Sequence, residues 1–347
     1  MNRLSEITFS DEKRNRFYKE IWGSSTFEAE VLKKKSGCEF KIQEDNIADT
    51  IMNIFCIENK SQFLSKYAQA ISGDGKEDCK ISNLRSSSLL SLLFFYNVTK
   101  ENPLILQLND EICTFEYSLF EFKNKVIRKP SNMDVVLLGK SGKKKVILFL
   151  ESKFGEYYFD VTNLEVPYFV PYSYYKQYQS LYESIERELD VKSDFQEKRR
   201  NKSKVFELYP IKNAHYIGGI KQMISHYIGV QNFAKGDFVT TSNSRLDSIL
   251  TYLGSPFSEQ KILDELKDNA EIYLAEIVFD KGIKNLELGK GNNYFSDYEE
   301  LHNKLSKILV NDNKNPKVHI VQNLLKYSDY DKWNHKIEDK IKQYYFE

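Results

Sequence analysis

Three side chains carry the strongest chemical signal in this sequence: Asp134, Glu151 and Lys153. The acids have the oxygen ligands that a hard cation such as Mg²⁺ prefers. That ion usually takes one or two protein carboxylates and leaves its other positions to water and substrate phosphate. A water on such an ion is a stronger nucleophile, and the ion also neutralises charge on a phosphoryl group. An ammonium beside it can hold the water or offset the developing anion. These residue types together suit hydrolysis of a phosphodiester. Between the glutamate and the lysine, Ser152 offers its backbone carbonyl as a further metal ligand.

The elements that would position these groups lie between Lys129 and Tyr158. Val135 to Leu138 is an apolar run, Gly139 to Gly142 supplies a turn, and Val146 to Leu150 is a second apolar run. Two strands joined by a tight turn follow from that pattern. The second run is apolar throughout, as in a strand covered on both faces. Side chains alternate along a strand, so Glu151 and Lys153 share a face and Ser152 points the other way. A hairpin brings the start of its first strand, Asp134, beside the end of the second.

The set Asp134 then Glu151-x-Lys153 resembles the PD-(D/E)XK signature of the restriction-endonuclease-like superfamily. Here Asn132-Met133-Asp134 stands in place of the literal Pro-Asp, with Pro130 four residues before the aspartate. The resemblance implies a metal-dependent nuclease with Mg²⁺ as cofactor and Mn²⁺ as the alternative. Asp134 and Glu151, with the Ser152 carbonyl, would hold the metal. It further implies an additional acid upstream, for which Glu116 is the first candidate and Glu121 and Glu101 compete. It also implies a glutamine on the helix after the catalytic strand, which Gln222 matches by order. The Gln-x-x-x-Tyr pattern of one branch is not matched, because His226 occupies the fourth position and Tyr227 follows it. Ser86-Ser87-Ser88 before Leu89 to Val98 also resembles a Ser-rich helix that precedes the catalytic sheet in another branch. Helix capping explains those serines equally well.

The rest of the chain sets bounds. A length of 347 residues suits one large domain with insertions, or two domains. Lys plus Arg number 50 and Asp plus Glu number 50, so a surface for nucleic acid must be local. The best local candidate is Lys198-Arg199-Arg200-Asn201-Lys202, although such runs are more often solvated loops than phosphate contacts. Cys38, Cys56, Cys79 and Cys113 form no Cys-x-x-Cys pair, which argues against a zinc knuckle and for a reduced, cytoplasmic setting. The apolar run Leu89 to Phe95 is too short to cross a bilayer, so no membrane partner is expected. His215 and His226 are open to a role as metal ligands or general base, but all five histidines read as structural.

In chain order, residues 1–80 read as a helical extension, with helices near Ser10 to Ile21, Asn46 to Phe55 and Ser61 to Ile71. Residues 81–280 read as the core. A buried helix spans Leu84 to Val98, and Ile112 to Phe122 is the first strand. Residues 154–210 are an insertion, a loop or short hairpin over Phe154 to Tyr172 followed by a helix over Tyr174 to Leu189, and a helix spans Ala214 to Val230 with Ile217, Ile220, Ile224 and Ile228 on one face. A final strand runs from Glu271 to Phe279. Residues 281–347 read as a helical extension, including helices at Asp297 to Val310 and Pro316 to Tyr327. The amphipathic tail carries Trp333, Ile337 and Ile341 on one face, to dock on the body or on a second copy in a homodimer.

The expected fold is therefore α/β: a restriction-endonuclease-like core, a central mixed sheet flanked by helices, with helical additions at both ends. The expected function is a DNA endonuclease. Its rivals are an inactive nuclease-fold protein that binds nucleic acid or assembles with partners, and an unrelated enzyme in which Glu151 and Lys153 form only an ion pair. Lys153→Ala is expected to abolish cleavage with the fold intact.

Overall fold

The computed structural model describes residues 47–72, 81, 86–126, 130–154, 170–171, 178–189, 191–198, 203–210, 219–239, 244–254, 270–280 and 294–346. Helices α1 (Ile47–Ile54), α2 (Lys60–Ala70) and α3 (Ser87–Phe95) come first. The Asn59 side chain caps α2, and Ser86 Oγ caps α3 by accepting from Leu89 N at 3.0 Å. Each such cap replaces a lost helical partner and is worth about 1 kcal/mol. Every residue of α3 from Ser88 to Phe95 is buried. A helix apolar on all sides must be enclosed by other elements, and α3 lies beneath the sheet and beside the chain's last segment. The expected helix at Ser10 to Ile21 lies outside the described residues.

The main sheet contains β1 (Leu104–Leu108), β2 (Glu111–Asn124), β3 (Ser131–Ser141), β4 (Lys144–Lys153) and β8 (Ala270–Val278), in that spatial order. β1 to β4 form an antiparallel meander, whereas β4 and β8 run parallel, from Lys145 beside Ala270 to Lys153 beside Val278. The turn between β3 and β4 is Gly142-Lys143, with Gly142 at φ +56°, as a two-residue hairpin turn demands. β2 bulges at Glu116, where Gly139 crosses so closely that a Cβ would meet Thr114 O at 2.1 Å.

An insertion follows β4. It holds β5 (Val170–Pro171), α4 (Gln179–Glu188), β6 (Val191–Lys198) and β7 (Ser203–Pro210). The three strands form a separate small sheet in the order β5-β7-β6, where the sequence suggests a loop or short hairpin over Phe154 to Tyr172 and then a helix. The strands escaped notice because V-K-S-D-F-Q-E-K carries few apolar residues. Next come α5 (Gly219–Ala234), α6 (Ser244–Leu253) and, after β8, α7 (Tyr294–Asp312).

The expected helix at Pro316 to Tyr327 is absent. In its place β9 (Val318–Ile320) and β10 (Leu325–Lys326) lie along the outer edge of β8. Val318, Ile320 and Val321 are β-branched, and the β8 edge offers partners: Ile272 N donates to Lys317 O and Val321 N to Leu274 O, at 2.8 and 2.9 Å. Val318–Ile320 and Leu325–Lys326 are thus strands of the central sheet, set among the helices of this segment. A 3₁₀ turn (Tyr327–Lys332) and α8 (Asp339–Phe346) finish the chain. Trp333, Ile337 and Ile341 are buried on the body, and Ile105 N at the margin of β1 donates to Trp333 O at 2.8 Å.

The result is an α/β architecture of three layers. One apolar cluster joins α1, α2, α3 and the final segment to Val135, Leu148 and Ile277 of the sheet. The other joins α4, α5, α6 and α7 to Val136, Phe149 and Leu274. β4 is fully enclosed from Val146 to Leu150, as its unbroken apolar run implied.

Candidate active site

Pairing between β3 and β4 ends at Val135 beside Leu150. Beyond that pair the strands part, and the Asp134 side chain enters the gap. Its Oδ2 accepts from Ser152 N at 2.9 Å. On its other side β4 stays paired with β8 to its last residue, and Phe279 N donates to Lys153 O at 2.8 Å. Glu151 and Lys153 are therefore held by rigid backbone and share the face of Ile147 and Phe149, beneath α5. Ser152 faces the opposite layer, where its hydroxyl donates to Ser87 O at 3.2 Å and lies 2.9 Å from Tyr327 Oη.

Lys153 Nζ donates to Glu151 Oε1 at 2.6 Å and to Gln222 Oε1 at 2.7 Å. Gln222 Nε2 donates to the same Glu151 oxygen at 3.1 Å. Glu151 is 5 % exposed and Lys153 3 %, whereas Gln222 is exposed and Asp134 half-buried, so the group meets solvent at the last two. Asp134, Glu151, Lys153 and Gln222 thus come together as the sequence implied.

Glu116 does not join them. It sits at the bulge near the hairpin end of β2, bonded to Lys140 Nζ at 2.7 Å. Glu121, its competitor in the sequence, lies nearer to them. The pairs Phe120–Val135 and Phe122–Met133 put Glu121 opposite Asp134, and its charge reaches that carboxyl. Glu121 is buried and holds φ at +52° within a strand, a conformation that a non-glycine residue adopts only under constraint from its surroundings. Register along a long strand decides between the two acids, and composition carries no trace of it.

His226 was read as structural, yet it belongs to the cluster. It lies four residues after Gln222 on α5, hence on the same helix face. Its Nε2 is 3.0 Å from Glu151 Oε2, while Ser131 Oγ is 2.5 Å from its Nδ1. The approach to Glu151 is within ion-pair distance, and Glu151 Oε2 has no further partner among the described residues. The four-residue spacing from Gln222 was the available signal.

The environments of the two acids drive their proton affinities apart. Burial alone would raise Glu151, but Lys153 and then His226 outweigh it and pull the carboxyl down to about 2. Asp134 is raised well above the usual carboxylate range, first by burial and then by the negative charges of Glu151 and Glu121. Lys153 and the Ser152 amide counter only part of that rise. Paired acids with opposed shifts are typical of functional sites.

The fit to a divalent cation rests on two oxygens. Glu151 Oε2 is buried without a hydrogen bond, and the Asp134 carboxyl sits where burial and its acidic neighbours oppose its ionisation. A cation between them would satisfy both. Among the described residues no group of three or more His, Cys, Asp or Glu side chains is gathered for a metal, so the ligand set would be the two carboxylates and the Ser152 carbonyl. That number is usual for Mg²⁺.

Of the proposed phosphate contacts, Lys198 ends β6, and Arg199, Arg200 and Lys202 lie outside the described residues. The lysines of the β3–β4 turn serve other ends: Lys144 Nζ donates to Glu271 and Lys145 Nζ to Leu253 O. No family model, curated protein or solved structure matches this chain. No described helix is long and apolar enough to cross a membrane.

Proposed function

We propose that this chain is a metal-dependent nuclease that hydrolyses phosphodiester bonds in DNA. The observation that carries the reading is the meeting of Asp134 with the Glu151–Lys153 pair at a strand end, with Gln222 above them. The order of elements supports it: helix α3, the strands β2, β3 and β4, helix α5, then β8 parallel to β4. This is the order that the restriction-endonuclease-like resemblance implies, with β1, β9, β10 and the insertion as additions.

In this reading Asp134, Glu151 and the Ser152 carbonyl hold Mg²⁺, or Mn²⁺ in its place. The bound ion supplies an activated water and neutralises phosphoryl charge. Lys153, fixed by two acceptors, keeps its ammonium aimed at one point and offsets charge on the attacked phosphate. Gln222, exposed at the rim, orients the water or a phosphate oxygen. Asp134 must give up its proton to accept the cation, and its raised proton affinity makes that exchange sensitive to pH.

The test is incubation of the purified protein with linear and circular DNA, and with RNA, with and without Mg²⁺ or Mn²⁺. Cleavage of DNA that requires the metal and vanishes in Asp134→Asn is expected. Absence of cleavage with every substrate and both metals would overturn the reading in favour of a binding module.

A further inference from the structure

The residue with the least settled role in this cluster is His226. It is 3 % exposed, on a helix whose inward face is mostly apolar. A polar ring so placed needs partners, and it touches two: Ser131 at the start of β3 and Glu151 near the end of β4. It therefore spans the gap opened where β3 and β4 part, the gap that also admits Asp134.

The carboxylate decides which nitrogen carries the hydrogen. Facing an oxygen anion at 3.0 Å, Nε2 is favourable only as N–H. In the neutral ring Nδ1 is then an acceptor, and the hydrogen bond with Ser131 must run from Oγ–H to Nδ1. With Nε2–H turned toward Glu151, the Ser131 hydroxyl satisfies the ring's other nitrogen and braces it from behind. The two oxygens of Glu151 are treated differently. Oε1 receives Lys153 and Gln222 in good geometry, whereas Oε2 is only flanked by His226 and keeps its lone pairs.

We propose that His226, braced by Ser131 at Nδ1, is a positioning residue that holds Glu151 with Oε2 presented to a divalent cation. The proposal rests on the nuclease reading, since it assigns the metal-facing oxygen of that site. Partners that fix a ligand from behind typically change metal affinity by about 10- to 100-fold when removed. Gly229, one turn further along α5, makes the arrangement feasible. A Cβ there would lie 2.7 Å from Asn124 Cβ, so only glycine lets the helix come this near β2.

The experiment is calorimetric titration of Mn²⁺ into wild-type protein and into Asp134→Asn, His226→Phe, His226→Gln and Ser131→Ala, with circular dichroism to verify folding. Mn²⁺ binding about 10- to 100-fold weaker in folded His226→Phe is expected. Gln should restore most of the affinity, because its amide can offer an N–H to Oε2, and Ser131→Ala should show a smaller loss of the same sign. Equal affinity in folded His226→Phe and wild type overturns the proposal and leaves the nuclease reading standing. If His226→Phe does not fold, Ser131→Ala decides, and wild-type affinity there overturns the assignment. Wild-type protein that binds Mn²⁺ no better than Asp134→Asn overturns the nuclease reading itself.

Discussion

Replacing Glu151 by Gln separates the charge of this residue from its shape, because Gln resembles the protonated acid. In the folded chain the Glu151 carboxyl is pulled from 4.5 to about 2 by Lys153 and His226, against the opposing effect of burial. Each tenfold change in proton affinity is worth about 1.4 kcal/mol, so the ionised form contributes about 3 kcal/mol to folding. The folded value is the depressed one. The contribution is therefore complete above the ordinary value near 4.5 and is lost as pH falls through 2. Urea unfolding of metal-free protein should place Glu151→Gln about 3 kcal/mol below wild type at pH 7. The gap should narrow below pH 4.5 and close toward pH 2. A gap under about 1 kcal/mol at pH 7, or one that does not change with pH, would refute the argued balance between burial and the Lys153 partnership.

Asp134→Asn should behave in the opposite way. Asn keeps an acceptor for Ser152 N but removes a charge that its neighbours oppose, so metal-free protein should gain about 0.5–2 kcal/mol at pH 7, with the gain fading in acid. For the same reason, Mg²⁺ affinity of wild type should fall as pH is lowered through the raised proton affinity of Asp134, which calorimetry at several pH values would detect. Lys153→Met should abolish cleavage and also cost about 3–5 kcal/mol in urea unfolding, because Glu151 is left charged and buried. The double variant with Glu151→Gln should be more stable than Lys153→Met alone. Gly229→Ala should lose about 1–3 kcal/mol through its clash with Asn124, measurable by the same unfolding assay.

The part of the fold legible in the sequence is the part where one residue pattern had one solution. The β3–β4 hairpin has a glycine turn between apolar runs, and the all-apolar stretch of β4 had to be central. The same hairpin logic brought Asp134 to Glu151 and Lys153. Legibility failed where the outcome depended on a distant partner. Val318 to Ile320 becomes strand because β8 offers an edge, and Leu104 to Leu108 becomes β1 because β2 is long enough to receive it. Glu121 displaces Glu116 through register, which a bulge shifts by one residue. His226, open in the sequence to a role as metal ligand or general base alongside His215, reads there as structural. Its role emerges only when α5 is laid over the gap between two strands.

The hydrogen bond from Ile105 to Trp333 bears on how this molecule stays apart from its neighbours. An outer strand offers its amides and carbonyls to any passing chain, and proteins suppress that hazard by covering the margin. Here the final segment does the covering, anchored by Trp333, Ile341 and the buried ring of Tyr345. A chain cut short before Trp333 would bare the rim of β1 along with the aromatic pocket beneath it. Such a product would gather into oligomers through its own sheet, whatever became of its catalytic groups.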